Sequence, residues 1–140
     1  METIKIKADT DLTAEVMNFM DAELLRNSFP VDLQPEILIA VEEIFVNIAS
    51  YAYKPAQDGY VELFVEIGEK AVIRFEDTGL PFNPLDGDEP DLNTSIMERE
   101  IGGLGIHFVK NMMDEVEYVY ADGKNILTIT KAVSKQDRVN

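Results

Sequence analysis

Two pairs of strand-like runs, each closed by a tight glycine-containing turn, constrain this chain more than any other feature. Tyr60 to Ile67 and Lys70 to Asp77 flank Gly68-Glu69, while Val116 to Ala121 and Asn125 to Lys131 close through Asp122-Gly123. Turns this short join antiparallel neighbours, so both pairs read as β-hairpins. In the run ending at Asp77, the apolar residues Ala71, Ile73 and Phe75 fall at every second position, which gives a sheet one face to bury.

The remaining segments supply the cover for that face. Thr3 to Lys7 alternates as a short strand, and Asp9-Thr10-Asp11 then offers a helix start. A helix follows to about Asn27 and is broken by Phe29-Pro30-Val31-Asp32. Pro35 suits the first turn of a second helix that runs to about Tyr51. In it Ile37, Val41, Ile44 and Ile48 recur at the helical period and should face the sheet. Lys54 to Gly59 makes the exit loop, and a third helix is predicted over Gly105 to Asp114. Residues 80–101 are rich in Pro and Asp, lack periodicity and are predicted to form a lid. Residues 134–140 read as a polar tail. The 140-residue chain is thus expected to be one domain over residues 1–133. Its class is α+β, a two-layer α/β sandwich with a mixed, mostly antiparallel sheet covered on one face by three helices.

Charge and composition narrow the possible roles. Twelve Lys+Arg against 27 Asp+Glu leave a formal charge of −15, which repels nucleic acid phosphates and anionic membranes. No direct nucleic acid or membrane partner is expected. The first residues lack the apolar segment of a signal peptide, and no later apolar run reaches the length of a membrane span, so the expectation is a soluble cytoplasmic protein. Having no cysteine, the chain is without disulfides, thiolate metal sites or cysteine nucleophiles.

Three short motifs carry the chemistry. Glu43 and Asn47 lie four residues apart on the second helix, hence on one face that flanks the apolar stripe. An Asn amide oxygen suits Mg²⁺, and a Glu one turn away can accept a proton. Taken alone, Glu42 and Glu43 read more readily as solvated helix acids, and Asn47 as an ordinary polar residue. Asp77 continues the apolar face of its strand, where a carboxylate needs a donor such as the exocyclic amine of adenine. Gly79, Pro81 and Pro84 would then turn the chain past a planar base, although a lone Asp-x-Gly reads more readily as an acid capping its own turn. Gly102, Gly103 and Gly105 precede the third helix, whose exposed N–H groups and positive end suit phosphates. Neither the Walker pattern nor Gly-x-Gly-x-x-Gly is present, and by itself the loop is equally a tight turn. The lone His107 reads as a helix-surface residue, and the methionines as core filler.

In order and spacing, the three motifs together resemble the Bergerat-fold, histidine-kinase-like ATPases. Glu-x₃-Asn, Asp-x-Gly-x-Pro-Phe-x-Pro and Gly-Leu-Gly-Ile in a stand-alone domain of this size look like the anti-sigma-factor serine kinases of bacterial stress-response and sporulation circuits. That resemblance implies ATP and Mg²⁺ as cofactors. It implies Glu43 as the catalytic base, Asn47 as the Mg²⁺ ligand, and Asp77 with Gly79 at the adenine. The loop Gly102, Gly103, Leu104, Gly105 and Ile106 would contact the phosphates, the roles falling on Gly103 and Gly105. Two positions depart from the family pattern. Tyr51 stands where many relatives have a histidine, and Gly123-Lys124-Asn125-Ile126 stands where a Gly-Thr is usual, so that Asn125 would replace the missing hydroxyl.

The implied function is a protein serine kinase that transfers the ATP γ-phosphate to a serine of a small anti-sigma-factor antagonist. A sigma factor is implied as a further partner, and a homodimer as the assembly. The alternative is a nucleotide-gated regulatory binding module without kinase activity, in which ATP orders the lid and changes partner affinity. Glu43 separates the two, since only the kinase needs a base.

Overall fold

The computed structural model describes residues 1–54, 57–84 and 104–133. Its strands are β1 (Glu2–Lys7), β2 (Tyr60–Ile67), β3 (Lys70–Asp77), β4 (Glu115–Ala121) and β5 (Lys124–Ala132). They form one sheet in the order β1-β2-β3-β5-β4. A mixed sheet was expected, yet every pairing among the described strands is antiparallel. The reason lies in the second hairpin, which folds back so that β5, not β4, lies against β3. Its turn has Asp122 at φ 54° and Gly123 at φ 77°, the left-handed pair that a two-residue hairpin with the native strand twist requires.

Three helices cover one face, as expected. An Asx turn, with the Asp9 carboxylate accepting from the Asp11 N–H at 2.9 Å, opens a short 3₁₀ turn that leads into α1 (Thr13–Arg26). Another 3₁₀ turn precedes α2 (Gln34–Tyr51), which has Pro35 in its first turn. The last, α3 (Leu104–Met112), stops two residues before the expected Asp114 because β5 takes hold of its end. Lys131 Nζ donates to the Met112 carbonyl at 2.5 Å, and Asp114 pairs with Thr130 and Ala132.

Alternation in the strands fixes where the core sits. Val61, Leu63 and Val65 of β2, Ile73 and Phe75 of β3, and Leu127 and Ile129 of β5 are buried against Val16, Met20, Ile37, Val41, Ile44 and Val109. Each such side chain stabilises the fold by roughly 1.5–3 kcal/mol over its exposed state. On the opposite face, Arg74 lies 4.2 Å from the ring centre of Phe64, its partner across the β2–β3 ladder. Most of the expected lid, residues 85–101, and the tail from 134 lie outside the described residues. Among those described, no helix is long and apolar enough to cross a membrane.

Candidate functional site

At the end of the sheet where β3 stops and β5 begins, the second half of α2 stands away from the strands. A cavity of about 510 Å³ opens between them. Ile44, Asn47, Ile48 and Tyr51 of α2 form one wall. Asp77, Asn125 and Leu127 form the sheet side, with Tyr118 behind them on β4. Leu80, Pro81, Phe82 and Pro84 border it as the chain leaves β3, and Ile106 of α3 closes the far side. The lining is mostly apolar with a few polar groups converging, the usual make-up of a small-molecule site.

Among the described residues Asp77 is the only acid in that lining, and it is 6% exposed. It is the residue of β3 directly opposite Asn125 on β5, so one cross-strand pair supplies both polar groups. The Asp77 Oδ1 accepts from the Gly79 N–H at 2.9 Å and from Asn125 Nδ2 at 3.0 Å. Burial pushes its carboxyl pKa up, and these two hydrogen bonds pull it partly back. With both bonds on Oδ1, Oδ2 is the oxygen left to meet a donor from a ligand. The bond to Gly79 is the turn-capping role that an Asp-x-Gly offers, and it leaves Oδ2 for the ligand reading of Asp77.

Gly79 is needed for a reason the sequence did not reveal. A Cβ there would lie 2.3 Å from the carbonyl oxygen of Ala52, just past the end of α2. That close approach lets the Leu80 N–H donate to the same Ala52 carbonyl at 3.0 Å. The α2 exit is braced a second time by Tyr53, whose hydroxyl donates to the Tyr60 carbonyl at 2.7 Å and accepts from the Thr78 N–H at 2.9 Å.

The residues singled out from sequence are not all gathered at the cavity. Asn47, Asp77 and Ile106 line it, and Tyr51 and Asn125, the two departures from the family pattern, line it as well. Glu43 is half-buried one turn before Asn47 and lies outside the cavity wall. Leu104 and Gly105 are the first two residues of α3, while Gly102 and Gly103 lie outside the described residues. Sequence reasoning missed Tyr118, whose hydroxyl donates to Asn125 Oδ1. The strand alternation carried one faint signal, since the β4–β5 register puts Tyr118 opposite Leu127 on the buried face.

A model of the histidine kinase-like ATPase domain matches residues 6–131. The chain belongs to that family. Similar proteins within it include the serine/threonine-protein kinase BtrW of Bordetella bronchiseptica, 22% identical over 92% of this chain and 92% of that one. The serine-protein kinase RsbW of Bacillus mycoides is 24% identical over 98% of this chain and 88% of its own length. Among solved structures, the RsbU and RsbW domains of Rv1364c from Mycobacterium tuberculosis superpose with a TM-score of 0.64 at 12% identity, over 96% of this chain. The present chain spans 33% of that one. The histidine kinase domain from Erythrobacter litoralis EL346 gives 0.55 at 22% identity, over 76% of this chain and 48% of that one. These two likenesses speak for the fold alone. The Bergerat architecture and the anti-sigma-factor serine kinase family expected from the motifs are borne out, and with them the class of enzyme, an ATP-binding protein serine kinase.

Proposed function

We propose that this protein transfers the γ-phosphate of ATP to a serine of a small anti-sigma-factor antagonist, and through it governs a sigma factor. The observation that carries the reading is the buried carboxylate of Asp77 on a mostly apolar wall. Ile44, Ile48, Leu127 and Ile106 would flank a purine, and the adenine amine would donate to Asp77 Oδ2. The phosphates would reach the N-terminus of α3, where the backbone N–H groups and the helix dipole favour negative charge.

The donor set fits Mg²⁺ held partly by nucleotide. Among the described residues no three His, Asp or Glu come together as a metal cage. Asn47 presents an amide to the cavity, so one protein oxygen together with phosphate oxygens would complete the ion's shell. Bound there, Mg²⁺ would neutralise phosphate charge. Glu43 would take the serine hydroxyl proton as the serine Oγ–phosphorus bond forms and the bond from the γ-phosphorus to the β–γ bridging oxygen breaks, releasing ADP. We further propose a single domain over residues 1–133 in a cytoplasmic homodimer, with residues 80–101 closing as a lid over bound nucleotide.

Glu43 lies outside the cavity wall, which favours keeping one second reading, a nucleotide-gated binding module that transfers nothing. Labelled Mg-ATP and candidate antagonists decide between the two. With the cognate antagonist, Glu43→Gln should bind ATP nearly as well as the native protein while phosphoserine formation falls about 10²–10⁴-fold. ATP-dependent binding of the antagonist with no phosphate transferred by the native protein would install the second reading instead.

A further inference from the structure

The Asn125 side chain, 7% exposed, is saturated with partners. Its Nδ2 donates to Asp77 Oδ1 at 3.0 Å and to the Leu80 carbonyl at 2.9 Å, with the Gly79 carbonyl at 3.4 Å. Its Oδ1 accepts from the Phe82 N–H at 3.1 Å and from the Tyr118 hydroxyl. Carbonyls and a carboxylate can only accept and a backbone N–H can only donate, so the amide has one possible orientation. A flipped amide would face three acceptors with an oxygen.

Two functions meet in this one group. Through Nδ2 it fixes the rotation of the Asp77 carboxylate and thereby aims Oδ2. Through the same Nδ2 and through Oδ1 it holds residues 79–82, and with them the Leu80, Pro81 and Phe82 border of the cavity. These bonds span 43 to 48 positions of sequence and act beside two others on the same segment, from the Gly79 N–H to Asp77 Oδ1 and from the Leu80 N–H to the Ala52 carbonyl.

We infer that Asn125 is a positioning residue that couples recognition of the base by Asp77 to the placement of residues 79–82 over the cavity. The inference rests on the ATP reading above and adds to it. A ligand that pulls on Asp77 pulls, through one amide, on the segment that leads into residues 85–101. Conversely, loosening that segment releases the carboxylate that reads the base.

The test compares ATP with inosine triphosphate, which has a carbonyl where adenine has its amine, by calorimetry with Mg²⁺. Hydrogen exchange of the nucleotide-free protein runs alongside. The native protein should prefer ATP and protect the Phe82 N–H. Asn125→Ala should weaken ATP binding about tenfold or more and bring the ATP preference towards parity. It should also speed exchange at Phe82 while Phe45 in α2 exchanges as before. A folded Asn125→Ala protein with native preference and native Phe82 protection would overturn the inference. Should that variant not fold, Tyr118→Phe decides, because it removes only the hydroxyl behind Asn125. A smaller shift of both readouts in the same direction supports the coupling, and no shift in either overturns it. Failure of the native protein to bind ATP would sink the ATP reading itself. It is told apart by the exchange at Phe82, which needs no nucleotide.

Discussion

At Asp77 the demands of folding would oppose those of the proposed adenine contact. Its pKa is raised by burial, against the pull of Asn125 and Gly79. A carboxyl with a raised folded value holds its proton more tightly folded than unfolded. Its stabilising contribution is full below the ordinary carboxylate range and is lost as pH rises through the raised value. At neutral pH the ionised group therefore weakens the fold. Asp77→Asn keeps an oxygen to accept both hydrogen bonds, so it should melt higher than the native protein at pH 7. That advantage should shrink at a pH near 4, and the preference for ATP over GTP should disappear; thermal melts and calorimetry read the two effects. A variant less stable at pH 7 would mean that the two hydrogen bonds depend on the charge. Gly79 is constrained in another way, by backbone rather than charge. Gly79→Ala drives a methyl into the Ala52 carbonyl and should cost about 1–3 kcal/mol in urea unfolding. Ala52→Gly should not restore it, because the obstacle is the carbonyl oxygen.

The element that joins site to scaffold is β5, whose inward-facing residues run Asn125, Leu127, Ile129 and Lys131. The apolar centre holds the sheet to the helices, and each polar end has a separate task. Asn125 serves the cavity, while Lys131, 5% exposed, caps the C-terminus of α3 through the Met112 carbonyl and reaches Glu36 of α2 at 3.3 Å. Lys131→Met should keep the packing but leave that carbonyl without its donor, lowering stability by about 1–3 kcal/mol in denaturant. Glu36 is 41% exposed on its side chain, so Glu36→Gln should change stability by less than about 1 kcal/mol. An equal loss from both variants would make the ion pair, not the cap, the source of the effect. This strand also marks how far the sequence was legible. Both hairpins and the register of apolar residues could be read because alternation and turn chemistry are local. Helix α2 was readable too, from its period and from Pro35. That Asn125 meets Asp77, or that Gly79 meets Ala52, depends on strand order and on close approach between distant segments. Neither can be read from a window of neighbours. Lys131 held a clue in continuing the apolar alternation, a place where a lysine must find acceptors.

Across the whole molecule, charge and exposed surface set the remaining expectations. ATP adds about four negative charges to a chain at −15, so binding should weaken sharply in excess EDTA and recover in part with added salt. Undiminished affinity without metal would remove Asn47 as a ligand. The sheet face away from the helices exposes Val119 and carries Phe64 beneath Arg74. Covering it in a homodimer should give twice the chain mass in light scattering, and a monomer at micromolar concentration would withdraw that proposal. The strand order has one more consequence. The described strand that comes last in sequence lies inside the sheet, and among the described strands β4 pairs with β5 alone. A ribosome therefore makes four strands before the sheet can close, and until residues 124–132 emerge the growing chain has neither Asn125 nor Leu127 to complete its cavity. Nucleotide would therefore meet a complete cavity only after β5 has been made and has paired with β3.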